Sequence, residues 1–495
     1  MKKNISLLVV KIIISIYFFT SSYNLNAQEY NTIYWMQGIP QSAFSNPAHQ
    51  LDAGIYIGTP GASSIYAGFG NSGFKFSDML RKDNSGQMYW DEDNMLSKLS
   101  TKNLMYSDVQ VEILTFGFRL HDDNYIHFNY SQKMGMQAGY PKDLFLLGLK
   151  GNNYFLENTE NGEANFDALR LNLMQYSEYG IGYSRKLNEQ FDVGARVKFL
   201  FGHANARLTA NDFRFVTNPE TFAINLHADV TLNTSLPVEI GAIEIDSEDD
   251  NGSDPLEGFD DYEFDPVEYL LNFRNFGLAG DLGVIYNFDY NLTFALSIVD
   301  LGYIKWKNNA GNHNLTGEVF FDGIDVENLF EYGGLGEHVD DEENGNDEDS
   351  DLFDEMLDNV EVNHSSNPYS FMLSPKIYLS AKYDIADWHS VSFLTRGIIV
   401  DSKIHPSFTL AYNIQPIKPI GFTLSYSVIH GNFTNIGFGM HLNLYPFQLY
   451  IIADNTFPGI QPHTTQLANV HLGINWVIGY RDKGDPAKPI HRWGF

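Results

Sequence analysis

The chain has 495 residues, 31 Lys and Arg against 62 Asp and Glu, and no cysteine. A formal charge of −31 excludes general nucleic-acid binding, which needs a basic face to displace counterions. The lack of cysteine excludes a disulfide framework, thiolate metal sites and cysteine nucleophiles. At 15% aromatic, the chain is also too rich in core-forming residues to be intrinsically disordered.

In chain order, the N-terminus comes first. Met1, Lys2 and Lys3 precede an apolar stretch over residues 5–19, and Leu25, Asn26 and Ala27 offer a small residue before a cut. This layout predicts a secretory signal peptide over residues 1–27. The stretch is short for a membrane span, and Lys11 interrupts it. The cut has no cysteine, so a lipoprotein anchor is excluded. No other stretch is long and apolar enough for a transmembrane helix.

Next comes a lead-in over residues 28–53. Pro47 fixes its own backbone and holds Asn46 extended, and Pro40 does the same for Ile39. A rigid, apolar-flanked segment of this kind suits a plug, or hatch, inside a lumen; the alternative is an ordered lead-in that covers the bottom of the barrel.

From there the chain alternates with period two. Val193, Ala195, Val197, Phe199 and Phe201 interleave with Asp192, Gly194, Arg196 and Lys198. Phe422, Leu424, Tyr426 and Val428 interleave with Thr423, Ser425 and Ser427. Val470, Leu472, Ile474, Trp476 and Ile478 interleave with His471, Gly473 and Asn475. With flanking turns each run reaches about 9–12 residues, the length of a tilted strand that crosses hydrocarbon. Tyr445, Phe447, Tyr450, Trp476 and Tyr480 at strand ends read as an interfacial girdle. The chain lacks the repeat of a propeller.

The fold class is therefore all-β, a transmembrane antiparallel up-and-down β-barrel over residues 54–480. Outer-membrane barrels turn tightly on the periplasmic side. Tight connections stand at residues 121–123, 188–190, 289–290, 385–387, 415–418 and 445–446. Pairing across longer outer loops then gives about 14 strands, with an outer hairpin or strand extension within residues 204–276. Short helical patterns at residues 93–99 and 143–149 fall in outer connections, and residues 481–495 form a periplasmic tail.

The charge is concentrated. Residues 237–273 hold 13 acidic residues and residues 308–375 hold 18, neither with a Lys or Arg, and together they equal the whole formal deficit. The strand scheme places both on the outer face, in loops over about 237–276 and 308–370.

The Asn46-Pro47-Ala48 triplet, just ahead of the first strand, resembles the FadL-type and PorV-type outer-membrane barrel superfamily. The longer pattern, Gly38-Ile39-Pro40-Gln41-Ser42 followed by Asn46-Pro47-Ala48, is similar to uncharacterised barrels of gliding-type Gram-negative bacteria. The resemblance implies a 14-stranded barrel in the Gram-negative outer membrane. It also implies an N-terminal hatch near any ligand, with Pro40, Asn46, Pro47 and Ala48 as its marked residues, and passive transport of a small hydrophobic or neutral solute. The alternative is a structural subunit that contacts other envelope proteins as well as lipid. The polyacidic stretches speak against anionic substrates.

Other chemistry is sparse. Asp340, Glu342, Asn344 and Asp351 approach the spacing of an EF-hand loop, but Glu342 and Asp351 depart from the pattern. A plain solvated loop is the expectation there, with weak surface Ca²⁺ binding as the alternative. No resident cofactor and no catalytic site are expected, since zinc-hydrolase, nucleophile-elbow and Walker patterns are all missing.

Overall fold

The structure, a computed structural model, describes residues 30–36, 38–83, 85–237, 269, 271–321, 360–400, 403–417, 419–429, 432–456, 465–482 and 485–489. The expected signal peptide and the Ca²⁺ candidates Asp340, Glu342, Asn344 and Asp351 lie outside these residues.

Fourteen antiparallel strands close a barrel. Strand β1 is broken into Ala53–Gly58 and Ile65–Asn71. Then come β2 (Lys102–Arg119), β3 (Asn124–Pro141), β4 (Arg170–Lys186), β5 (Phe191–Thr217), β6 (Asn275–Asn287) and β7 (Leu292–Trp306). β8 is again broken, into Tyr369–Met372 and Lys376–Ala386. β9 (His389–Val400), β10 (Lys403–Ile417), β11 (Ile420–Ile429), β12 (Asn432–Leu444), β13 (Phe447–Ala453) and β14 (Leu467–Asp482) complete the wall. Both pieces of β1 pair with β2 on one side and β14 on the other, which closes the ring. The six tight connections expected from sequence all join neighbouring strands, and the lead-in enters β1 beside one of them.

Alternation sorts the two faces. In β11, Leu424 and Tyr426 are exposed while Thr423, Ser425 and Ser427 are buried. In β14, Leu472, Trp476 and Ile478 are exposed while His471 and Asn475 are buried. The same belt continues through Val197, Phe199, Leu278, Leu296, Leu379, Phe393 and Leu410. Such an apolar belt around a closed sheet meets lipid without an unpaired edge. One girdle residue is corrected. Tyr450 falls on the inward parity of β13, is buried, and donates its hydroxyl to Ser63 O at 3.0 Å.

The wall grows outward on one side. β5 runs on past the level of β6, and its outer half pairs with Ile224–Ser235. That strand pairs in turn with Ala310–Phe321, which pairs with Val360–Ser365. The hairpin expected within residues 204–276 is thus present. The acidic loop expected over 308–370 is corrected, since strands occupy both its ends. Cross-strand pairing decides there, because one strand of the hairpin would otherwise keep an open edge. Beside β5, Ile224–Ser235 and β6 follow one line, broken by the first acidic stretch. Asn275 seams the break. Its Nδ2 donates to Ser235 Oγ at 3.2 Å, and its Oδ1 accepts from the backbone N–H of Lys307 at 2.8 Å and Asn308 at 3.0 Å. Helices Glu92–Lys98 and Lys142–Lys150 pack through Met95, Leu96 and Leu146 against Phe155 and Phe166.

Candidate functional site

The lead-in fills the lumen. Of its described residues between Tyr30 and Leu51, all but Gly38 and Gln50 are buried. Pro40 opens a 3₁₀ helix, Pro40–Phe44, where its missing N–H costs nothing. Asn46 closes a side-chain turn: its Oδ1 accepts from Ala48 N at 2.9 Å, and its Nδ2 donates to Tyr34 Oη at 3.1 Å. Ala48 joins Tyr34, Trp35, Ile285, Val299, Tyr378 and Leu394 in one apolar cluster. Asn46, Pro47 and Ala48 thus form one buried turn, and Pro40 starts the buried helix that leads into it.

The seat of that turn was hidden in the sequence. Gly194 of β5 and Gly283 of β6 face each other across the sheet. A Cβ on Gly194 would stand 2.1 Å from Pro47 O, and one on Gly283 would stand 2.0 Å from Asn46 Oδ1. The two glycines open a notch that only a bare backbone leaves, and Asn46–Pro47 occupies it.

Opposite the notch the contacts are hydrogen bonds. Gln41 and Asn475 exchange a reciprocal amide pair, Nε2 to Oδ1 at 2.9 Å and Nδ2 to Oε1 at 3.0 Å. Gln41 Nε2 also donates to Ser63 O at 3.1 Å, and Gln448 donates to Gly38 O. Thr32 N donates to Asp454 Oδ1 at 2.7 Å, and the hydroxyls of Thr32 and Ser425 lie 2.7 Å apart. No strand of the wall takes the lead-in into its ladder among the described residues.

Beside the lead-in lies a belt of buried ions. Lys133 of β3 donates to Glu178 of β4 at 2.7 Å. Arg196 and Lys198 of β5 both reach Asp281 of β6, at 2.6 and 2.7 Å. Lys198 and Lys376 of β8 share Asp300 of β7. A bulge makes this possible. The register of β6 and β7 shifts between Gly280 and Leu282, and Asp300 takes a positive φ of 61°. Its N–H then donates to Asp281 Oδ1 at 2.8 Å. Each ion of this belt thus has an opposite partner, the condition for tolerating ions out of water. Phe44 of the lead-in covers the Arg196 guanidinium at 4.8 Å. Between Tyr30, Phe44 and the ions a cavity of about 10 Å³ remains, the room of a single water. At the tight-turn end a wider vestibule of about 480 Å³ opens below Ala48, His49 and Gln50. Burial holds His49 in its neutral form, with its pKa lowered to about 4.

The ion belt and the glycine notch escaped the sequence reading. Their residues registered only as inward-facing positions on alternating strands. The signal available was Gly194, Arg196 and Lys198 on one face of one strand. Lysines on the inside of a strand demand buried partners.

The toluene transporter TbuX of Ralstonia pickettii is similar in fold at 10% identity and a TM-score of 0.37, over 88% of this chain and 92% of that one. The Pseudomonas putida toluene transporter TodX gives 11% and 0.34, over 88% and 91%. A Pseudomonas aeruginosa FadL homologue gives 11% and 0.37, over 88% and 94%. Likenesses this distant say nothing of a substrate. No curated protein matches the chain. Residues 47–454 match the model of a family of unknown function, DUF5723, and the chain belongs to that family.

Proposed function

We propose that this chain is a hatch-gated passive channel of a Gram-negative outer membrane. The observation that carries the reading is how the lead-in is held. Side-chain hydrogen bonds and a notch retain it, while the wall's own backbone ladder is complete without it. A plug of that kind can leave and return without breaking the barrel. The resemblance of the Gly38–Ser42 and Asn46–Ala48 pattern to barrels of gliding-type bacteria supports the same cellular placement. Ligand-proximal roles for Pro40, Asn46, Pro47 and Ala48 follow from it.

The solute class narrows. The sequence left hydrophobic and neutral solutes open. The lumen wall carries Ser, Thr, Asn, Gln and paired ions, which favours small water-soluble solutes over hydrocarbons. The acidic stretches disfavour anions.

The test is conductance. The full chain in a planar bilayer should conduct little. A chain lacking residues 30–50, refolded and shown to be a barrel by its heat-modifiable migration, should conduct steadily. A hatch-free barrel that folds and stays silent would overturn the reading.

A second reading rests on the outward sheet extension. Its strands, with the two acidic stretches that leave it, offer contacts to other envelope proteins or to Ca²⁺. In that role the barrel is an anchor, and removal of the hatch leaves its co-purifying partners unchanged.

A further inference from the structure

The vestibule below the hatch is chemically lopsided. Its volume of about 480 Å³ lies within the ~300–1,000 Å³ range of small-molecule sites. Five carboxylates line it: Asp52, Glu189, Asp192, Asp289 and Asp384. Two lysines, Lys186 and Lys382, stand against them. Lys382 is already engaged, by Asp384 at 3.1 Å and by the face of Trp35 at 5.5 Å. The remaining field is that of four carboxylates against Lys186, so the vestibule is negative.

The roof supplies an independent sign of a ligand. His49 lines the cavity and is 3% exposed. Its Nδ1 lies 3.4 Å from Ser42 O. A carbonyl only accepts, so Nδ1 carries the proton and Nε2 presents a lone pair. Nε2 is buried and has no hydrogen-bond partner among the described residues. Buried acceptors are normally satisfied, and this one belongs to a side chain that lines a negatively charged cavity. Desolvation keeps the ring neutral, so Nε2 remains an acceptor at physiological pH. Phe288 and Ile285 add apolar surface to the lining.

We infer that the vestibule binds a small organic cation, a primary ammonium or guanidinium on a short alkyl stem. Its N–H groups donate to His49 Nε2 and to the wall carboxylates, and the stem lies along Ile285 and Phe288. This deepens the channel reading and rests on it, since the site sits directly beneath the hatch. The same head group can come from a free solute or from an arginine side chain of a periplasmic peptide. The vestibule's closed roof favours the short free solute.

The experiment measures binding and needs no transport. Agmatine is titrated into the full chain in detergent by calorimetry, with glutarate and 1-butanol as anionic and neutral controls. Agmatine should bind and both controls should not. The double variant Glu189→Gln/Asp289→Asn changes only exposed turn residues and should weaken agmatine about tenfold. His49→Phe should weaken it by a similar factor, while His49→Gln, which restores an acceptor, should recover most of the affinity. A capped pentapeptide with a single arginine should bind more weakly than agmatine. No agmatine heat, equal binding by the double variant, or tighter binding of the peptide would each overturn the inference. A silent hatch-free barrel, with agmatine still bound by the full chain, would sink the channel reading alone.

Discussion

The two walls that enclose the hatch solve different problems. Strands β3 to β8 carry the ions: Lys133, Glu178, Arg196, Lys198, Asp281, Asp300 and Lys376. Strands β11 to β13 and the turns between them, residues 420–453, contain no Lys, Arg, Asp or Glu at all. Their lumen face is built of Thr423, Ser425, Ser427, Asn443 and Gln448. The charged wall pairs its ions with one another and meets the hatch through Gly194, Gly283, the Phe44–Arg196 contact and a hydrogen bond from Ser297 Oγ to Ser45 O at 2.6 Å. The neutral wall, with Asn475 of β14, holds it by hydrogen bonds. A neutral hydrogen bond is worth only about 1 kcal/mol net, whereas orphaning a buried ion costs about 3–5 kcal/mol. On the proposed channel reading, the division places stability in one wall and release in the other.

The largest effect should come from the charged wall. Asp281→Ala leaves Arg196 and Lys198 without their shared carboxylate, and the barrel should lose about 3–5 kcal/mol in urea titration. The neutral wall should feel nothing. If Asp281→Ala unfolds at the wild-type midpoint, the ions are not what braces that half.

Acid should act next, through His49 of the hatch. In place, its pKa lies at about 4; free in water it is near 6.5. The released state therefore takes up a proton first as pH falls. Retention of the hatch is full above about 6.5 and weakens steadily down to 4, by roughly 3 kcal/mol in all. The facing charge is Lys382, which opposes protonation further. Protease protection of the hatch should fall over that window, and His49→Gln should flatten the curve.

The strand scheme was readable because β2 to β13 stated it twice, in alternation and in a tight turn, and β1 and β14 completed the parity. All fourteen strands and the helices near residues 93–99 and 143–149 follow from those local signals. What was not readable depends on pairs far apart in the chain. Asp300 reaches Lys198 only through a bulge, and a bulge adds one residue without changing composition. Gly194 and Gly283 form a notch only once β5 and β6 lie side by side. Strand Ala310–Phe321 was masked by the acidic run that follows it, because its pairing partner stands over 70 residues earlier. The Asn46-Pro47-Ala48 turn could be seen as rigid, but its fit to the notch could not.

The notch gives the next test of the contrast. Gly283→Val places a side chain where Asn46 sits, and overpacking of this kind costs about 1–3 kcal/mol. Because the β5–β6 ladder does not involve that side chain, the loss should fall on the hatch and leave the barrel intact. Steady conductance with an unchanged urea midpoint is the expected pairing of results. A lowered midpoint with a closed channel would mean the glycines serve the wall itself.

The smallest effect should come from the neutral wall, where single contacts are weak and shared. Asn475→Ala removes the reciprocal pair with Gln41 and one bond to Gln448. Gln448 keeps Asn443 and Gly38, and Gln41 keeps Ser63 O, so neither is fully orphaned. The cost should be about 1 kcal/mol, or roughly a fivefold rise in open probability, with no change in urea midpoint. Gln41→Ala should give nearly the same rise, and the double variant little more, because both residues serve one pair. Additive effects would show that each amide holds the hatch separately, and the neutral wall would then be a row of independent latches rather than one.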